Sequence, residues 1–174
     1  MNIWNIDSMH SEVQFKVKHL MISSVTGNFS EFDAQVKAED ETFENADISF
    51  SAKINSISTG NTDRDGHLKS GDFFDAEKFP ELKFQSTSFE KKDSDDYKLI
   101  GNLTIKNVTK PVELDVEFGG KMVDFYGNEK AGFDISGKIK RKEFGLTWDG
   151  ITEAGGVVVS DDVKLILNIQ LAKG

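Results

Sequence analysis

The stretch Val13-Gln14-Phe15-Lys16-Val17-Lys18 places an apolar residue at every second position and a polar residue after each one. Successive side chains of a β-strand point to opposite faces, so this pattern predicts a strand with one buried face. Further alternating runs begin at Val25, Ala46, Leu82, Tyr97, Val112, Ala131 and Val163. The chain therefore contains eight predicted strands, a pattern typical of an antiparallel sandwich or barrel.

The apolar residues change face within two of these runs. Val25 and Phe29 share one parity, whereas Phe32 and Val36 have the other, which predicts a β-bulge or bend near Ser30-Glu31. Phe89 is likewise out of phase with the run that begins at Leu82. Turns are predicted from short polar and glycine-containing segments at Asp93-Ser94-Asp95-Asp96, Gly119-Gly120, Tyr126-Gly127-Asn128 and Gly155-Gly156.

The longest segment without strand character runs from about Ser58 to Pro80. Within it, residues 61–69 predict one or two helical turns capped by Asn61 or Thr62. We therefore expect residues 1–174 to form a single all-β domain with a short helix in this long connection. Connections of this length are usually functional or act as lids.

Eight strands can close into a barrel whose interior is either filled by side chains or holds one ligand. The chain contains fourteen Phe, so there is much apolar surface to enclose. Gly27, Gly101 and Gly137 occupy inward positions by parity. An inward glycine gives room to a ligand or allows the sheet to coil sharply, and the sequence leaves both explanations open.

The composition excludes several classes of function. A net charge of −9 argues against binding nucleic acid and against electrostatic attraction to anionic lipid head groups. No cysteine is present, which excludes disulfides and thiolate chemistry. The segment from Met1 to Asp7 resembles no secretory leader, and we expect no stable membrane insertion. The protein is accordingly expected in the cytoplasm, or in the periplasm if a leader was removed.

Three histidines are the only imidazoles available for catalysis or metal binding. His67 has Asp63, Asp65 and Asp72 nearby in sequence, but the group lacks the close spacing of a preorganised metal site. We expect it to be a hydrogen-bonded cluster that orders the loop. No nucleophile motif or phosphate-binding loop is present, so no catalytic residue, metal or cofactor is predicted, and the chain is not expected to be an enzyme.

Several motifs resemble those of the YceI-like family. They are Trp4-Asn5-Ile6-Asp7, the segments 10–15 and 25–29, the loop 65–75 with Phe79-Pro80, the hairpin 101–112, and the segments 141–146 and 161–163. The resemblance extends over essentially the whole chain. It implies a lipocalin-like, eight-stranded antiparallel barrel that binds a polyisoprenoid, an isoprenoid quinone or a similar long-chain amphiphile. Members of the family are often periplasmic or secreted and commonly form dimers, so a homodimer is expected.

Strand parity and the resemblance together predict the residues that contact a long-chain isoprenoid or fatty-acid-like ligand. His19 has the same inward parity as Val13, Phe15 and Val17. It is either a buried core histidine or a contact to the ligand head group. Phe73 and Phe74 lie in the long loop and either plug one end of the barrel or touch the ligand. The predicted ligand-binding residues are Val13, Phe15, Val17, His19, Phe29, Phe50, Phe73, Phe74, Phe84, Leu103, Phe133 and Ile135.

The predicted function is thus to carry or store a lipid. Two other functions remain open from the sequence. One is a metal-dependent enzyme that acts on a hydrophobic substrate at the loop around His67. The other is a stress-response interaction module in which the barrel is only a scaffold. The basic segment Lys138-Ile139-Lys140-Arg141-Lys142 is interpreted as a solvated strand end.

Overall fold

The structure is a computed structural model that describes residues 1–20, 22–39, 42–148 and 159–174. Strands dominate these residues, and all strands run antiparallel to their neighbours. They are β1 (Asn2–Ile6), β2 (Glu12–His19), β3 (Ser23–Phe29), β4 (Phe32–Ala38), β5 (Asp47–Lys53), β6 (Ile57–Ser58), β7 (Glu81–Asp93), β8 (Asp96–Ile105), β9 (Val108–Val123), β10 (Glu129–Lys140) and β11 (Val159–Lys173).

Three pairs of these strands each form one long, interrupted strand. A 3₁₀ turn at Ser8–His10 separates β1 from β2, the residues 30–31 separate β3 from β4, and a 3₁₀ turn at Ile54–Ser56 separates β5 from β6. With the five uninterrupted strands they make eight, and each pairs with the next along the chain. Strand β11 then pairs with both β1 and β2, which closes the sheet into the predicted eight-stranded barrel.

The predicted break near Ser30-Glu31 is confirmed, as is the change of phase before Phe89. In β7 the register with β8 shifts between Ser86 and Ser88, which is the signature of a β-bulge. Phe89 consequently returns to the buried face, where it is 3% exposed.

Two details of the strand prediction differ from the structure. Strand β1 was missed, because Ile3 and Trp4 are adjacent apolar residues and hide the alternation. A turn at Gly119-Gly120 was also wrong. Both glycines lie inside β9, where the register with β10 shifts and Gly120 adopts a φ of 112°. Glycine marks a bulge as readily as a turn, since both need a backbone that other residues avoid. The predicted turn at residues 155–156 lies outside the described residues.

One α-helix is found in the described part of the chain, α1 (Thr62–Lys69), as predicted. The Asn61 side chain caps it by accepting a hydrogen bond of 3.0 Å from the Arg64 N–H. The helix and the loop that follows it, residues 70–80, connect β6 to β7. No helix among the described residues is long and apolar enough to span a bilayer.

Candidate ligand-binding cavity

The barrel encloses a cavity of about 600 Å³ whose wall is mostly apolar. The inward positions of the strands supply most of the wall, as the period-two pattern predicted. All twelve predicted ligand-binding residues line it: Val13, Phe15, Val17, His19, Phe29, Phe50, Phe73, Phe74, Phe84, Leu103, Phe133 and Ile135. Their contact with a ligand stays a prediction.

The three inward glycines do not simply leave empty space. Gly27, Gly101 and Gly137 are each covered by a large side chain from the neighbouring strand, namely Phe15, Phe84 and Leu114 respectively. The covering atoms occupy the position in which a Cβ atom would otherwise lie. The glycines therefore let these side chains stay close to the sheet, and the centre of the barrel keeps its volume.

Four aromatic rings lie together at one end of the barrel. Phe43 is central, with its ring centroid 5.1 Å from that of Trp4, 5.2 Å from Phe133 and 6.0 Å from Phe118. The Lys121 ammonium lies 5.2 Å from the Phe43 ring centroid, in range of a cation–π interaction. Trp4 is 1% exposed and Phe43 is 2% exposed, so this aromatic cluster closes its end of the barrel.

Sequence reasoning did not single out Phe43. It lies in the connection between β4 and β5, outside any alternating run, and its φ of 64° is in the left-handed region. The Tyr97 hydroxyl donates to the Thr42 carbonyl over 2.7 Å, and the Asn45 N–H donates to the Phe89 carbonyl over 2.9 Å. Both bonds join residues that are far apart in the sequence, so no local sequence pattern predicts them.

Helix α1 and residues 70–80 cover the opposite end, which we call the α1 end. Phe73 is buried there, with its ring centroid 5.3 Å from His67 and 5.4 Å from Trp148. The Phe74 ring meets Phe29 edge-on at 6.4 Å. Both loop phenylalanines thus pack over the barrel end and also line the cavity, and their contact with a ligand stays a prediction.

Polar residues of the cavity wall concentrate at the α1 end. Except for Gln14, they come from the last residues of β2, the segment around α1 and the residue that follows β10. They are Gln14, Lys18, His19, Thr59, Asn61, Asp63, Arg64, His67 and Arg141. A lining that is apolar at one end and polar at the other suits an amphiphile rather than a plain hydrocarbon.

The side chains around α1 mostly bind one another. The Arg64 guanidinium donates to Thr59 Oγ1 and to the Thr59 carbonyl, each over 2.8 Å. Asp65 accepts hydrogen bonds from the Thr59 N–H and hydroxyl over 2.8 and 2.6 Å. His67 Nε2 is 2.9 Å from Asp72 Oδ2. Of the predicted loop-ordering cluster, the contact between His67 and Asp72 is present, whereas Asp65 binds Thr59. No three His, Asp or Glu side chains of the described residues converge as metal ligands.

His19 differs from these residues. It is the last residue of β2, it is partly buried, and its ring lines the cavity. No described residue hydrogen-bonds its imidazole, whereas His10 and His67 each pair with an aspartate. Among the described residues, His19 is thus the histidine whose imidazole has no hydrogen-bond partner.

Arg141 is the second residue that sequence reasoning missed. The lysines around it are exposed, as expected for a solvated strand end, but Arg141 is 3% exposed. Its guanidinium donates to the carbonyls of Leu146, Trp148, Val159 and Ser160 over 2.6 to 3.1 Å. One buried cation therefore holds together the chain on both sides of residues 149–158.

The family model described as a YceI-like domain matches residues 4–171 of this chain. Among curated proteins, a UPF0312 protein of Pectobacterium atrosepticum is 40% identical over 165 residues, which cover 94% of this chain and 82% of the relative.

Solved structures of the same fold were also found. The YCEI protein of Campylobacter jejuni has a TM-score of 0.77 at 37% identity and covers 89% of this chain and 88% of its own. BcnA of Burkholderia cenocepacia has a TM-score of 0.82 at 23% identity, with 95% and 98% covered. A polyisoprenoid binding domain from Saccharophagus degradans has a TM-score of 0.69 at 13% identity, with 98% of both chains covered. The last two likenesses show the fold alone.

Proposed function

Because the chain belongs to the YceI-like family, we propose that it binds a long-chain amphiphile inside the barrel and carries or stores it. A polyisoprenoid or an isoprenoid quinone is the ligand class that we favour. The observation that carries this proposal is the apolar cavity of about 600 Å³, closed by aromatic rings at one end and lined by polar groups at the other. A cavity of this volume is in the range of known small-molecule sites.

Binding energy in such a cavity comes from burying the hydrocarbon tail. Removing apolar surface from water stabilises the complex by about 25 cal/mol per Å², before ordering costs are subtracted. A long tail therefore needs few polar contacts to be held. The solved domain from Saccharophagus degradans is described as binding a polyisoprenoid, which agrees with this chemistry in a barrel of the same fold.

The head group of the ligand is proposed to lie at the α1 end, beside His19. The closed aromatic cluster at the other end offers a head group no polar side chain among the cavity-lining residues. In contrast, the imidazole of His19 lines the cavity and has no hydrogen-bond partner in the part of the chain that the structure describes. A hydroxyl or a quinone oxygen would satisfy it. The twelve lining residues named above would contact the tail and, for His19, the head.

The proposal is tested by extracting the purified protein with organic solvent and identifying the bound molecule by mass spectrometry. Native mass spectrometry of the intact protein gives the stoichiometry. Ile135→Trp places a large ring in the cavity and is expected to abolish the bound species. Ser136→Trp is the matched control, because Ser136 is the next residue of β10 and its side chain is exposed on the outer face. A barrel that remains empty after incubation with polyprenols and quinones would contradict the proposal.

A homodimer is proposed as well, following the family resemblance. The hairpin between β9 and β10 supports it, because this hairpin exposes four large apolar side chains, and exposed apolar patches commonly mark interaction sites. They are Met122, Val123, Phe125 and Tyr126. Sedimentation equilibrium is expected to give twice the chain mass, and Phe125→Ser is expected to shift the equilibrium toward the monomer.

A further inference from the structure

Three lysines form a row across the outer face of the barrel. Lys16 of β2 lies directly opposite Lys164 of β11, which lies directly opposite Lys138 of β10. Directly opposite side chains are about 5 Å apart at Cβ, and like charges in this arrangement repel. All three are exposed, and none forms an ion pair with a described residue. A chain with a net charge of −9 thus places three exposed lysines side by side here, and the nearby carboxylate of Asp162, which interacts with the charge of Lys138, is ion-paired with Lys140.

An apolar turn lies beside this row, at the α1 end of the barrel. Leu20 and Ile22 lie between β2 and β3, in a connection where polar residues are usual. Leu20 is 39% exposed and Ile22 is 85% exposed. The preceding residue, His19, lines the cavity, so the apolar turn is continuous with the cavity wall. Leu20 is four positions after Lys16 in the chain, which is about 13 Å along an extended strand.

We propose that this surface docks reversibly on an anionic lipid bilayer. The lysine row binds the lipid head groups while Leu20 and Ile22 enter the interface between head groups and acyl chains. Aromatic or aliphatic residues next to basic ones are the usual composition of interfacial anchors. The overall negative charge does not prevent this, because at physiological ionic strength charges farther away than about 8 Å are screened. Helix α1, which carries Asp63 and Asp65, packs near β6, and β6 pairs with the edge of β3 that faces away from β2.

A bilayer fits this surface better than a second copy of the chain does. A symmetric contact between two copies through the apolar turn would bring two unpaired lysine rows toward each other, and their repulsion opposes it. Docking goes beyond the proposed function and does not require an occupied cavity. It would place the α1 end of the barrel at the membrane, where an amphiphile enters or leaves.

The test is co-sedimentation with vesicles of phosphatidylcholine alone or of phosphatidylcholine with phosphatidylglycerol. Binding is expected only with phosphatidylglycerol and is expected to fall as salt rises. Each lysine near an anionic surface is expected to contribute about fivefold in affinity. Lys16→Gln and Lys164→Gln are therefore expected to weaken binding about fivefold each, whereas Lys83→Gln, an exposed lysine on β7, is the matched control.

The apolar turn is tested separately with Ile22→Ser, for which Met9→Ser is the control because Met9 is 90% exposed elsewhere on the barrel. Ile22→Ser is expected to weaken vesicle binding, and Met9→Ser is not. If Lys83→Gln weakens vesicle binding as much as Lys16→Gln and Lys164→Gln do, the proposal is overturned. A change in sedimentation coefficient on Ile22→Ser, without vesicles, would assign the turn to a second copy instead.

The content of the cavity is measured on the same samples by solvent extraction. A barrel that contains ligand but does not bind anionic vesicles would overturn the docking proposal and leave the proposed function standing. An empty barrel that still docks would count against the proposed ligand alone.

Discussion

The ring of Phe15 lies over Gly27, its directly opposite residue on the neighbouring strand, in the space that a Cβ atom there would fill. The same ring is 5.8 Å from the ring of Phe29, two residues along. The pair thus keeps a large aromatic side chain against the wall of the barrel. Phe84 over Gly101 repeats the arrangement on the other side of the barrel.

Gly27→Ala is expected to push the Phe15 ring into the cavity and to reduce the amount of bound ligand. Overpacking of this kind usually destabilises a protein by about 1–3 kcal/mol. The double variant Gly27→Ala with Phe15→Leu is expected to recover both ligand and stability. Gly132→Ala is the matched control, because a Cβ atom there meets nothing within 4 Å. Native mass spectrometry measures the amount of ligand bound per chain. An unchanged amount in Gly27→Ala would show that Gly27 does not keep the Phe15 ring out of the cavity.

His19→Leu is expected to weaken binding of a polyprenol but not of the hydrocarbon with the same carbon skeleton. The variant removes one hydrogen bond, and a typical hydrogen bond contributes about 0.5–1.5 kcal/mol, or about two- to tenfold in affinity. Fluorescence competition with the two ligands measures the difference. His10→Leu, whose imidazole lies outside the cavity, is the control. If both ligands lose affinity equally, His19 shapes the wall and does not hold the head group.

Arg141→Met is expected to be strongly destabilising. The variant leaves four carbonyl groups without their buried donor, and each orphaned buried polar group costs about 1–3 kcal/mol. Thermal unfolding followed by circular dichroism measures the loss as a lower Tm. Lys140→Met, on the adjacent residue, is the control, because its ion pair with Asp162 is exposed and little change in Tm is expected. Similar Tm values for the two variants would contradict the conclusion that Arg141 holds together the chain on both sides of residues 149–158.

Asp7 is expected to make stability depend on pH below neutrality. Hydrogen bonds from Lys130 and, secondarily, from His10 hold the pKa of its carboxyl group below the ordinary 3.8, although partial burial acts in the opposite direction. Because the pKa of Asp7 is lower in the folded state, ionised Asp7 stabilises the folded protein fully at pH values above the ordinary pKa. It is then lost as the pH falls through the lower, folded value.

Asp7→Asn therefore lowers the free energy of unfolding at neutral pH, by about 1 kcal/mol for a partly exposed pair. The difference from the unmodified protein is expected to vanish at acidic pH, below the folded pKa. Urea unfolding at several pH values measures it. Asp134→Asn, an exposed aspartate on β10, serves as the control, and a difference for Asp7→Asn that persists in acid would contradict the assignment.

Much of the cavity wall follows from local rules. The alternation in Val13-Gln14-Phe15 assigns each side chain to one face, because the strand period is two wherever the backbone is extended. Once eight such runs close into a barrel, the inward set becomes the wall of the cavity. The cap at Asn61 is equally local, since it depends on residues within one helical turn.

Other parts of the site depend on which distant residues the register brings together. Phe43 closes the barrel through hydrogen bonds that tie its loop to β7 and β8, and Arg141 binds carbonyls up to 19 residues away. Neither set of contacts produces a periodic pattern of apolar residues in the sequence. The sequence alone suggested an ordinary loop residue and a solvated arginine.

The alternating pattern by itself therefore determined which side chains share the buried face of each strand, because parity is a property of each strand alone. The pairing of β11 with β1 and β2, which makes the sheet a barrel rather than a sandwich, belongs to the tertiary structure. Only the tertiary structure decided that Lys16, Lys164 and Lys138 form one row, and that Phe15 lies on Gly27. Cross-strand neighbours are set by register, which depends on every bulge and turn between the strands. That is why the cavity wall could be predicted from the sequence, but its closed end and its charged outer face could not.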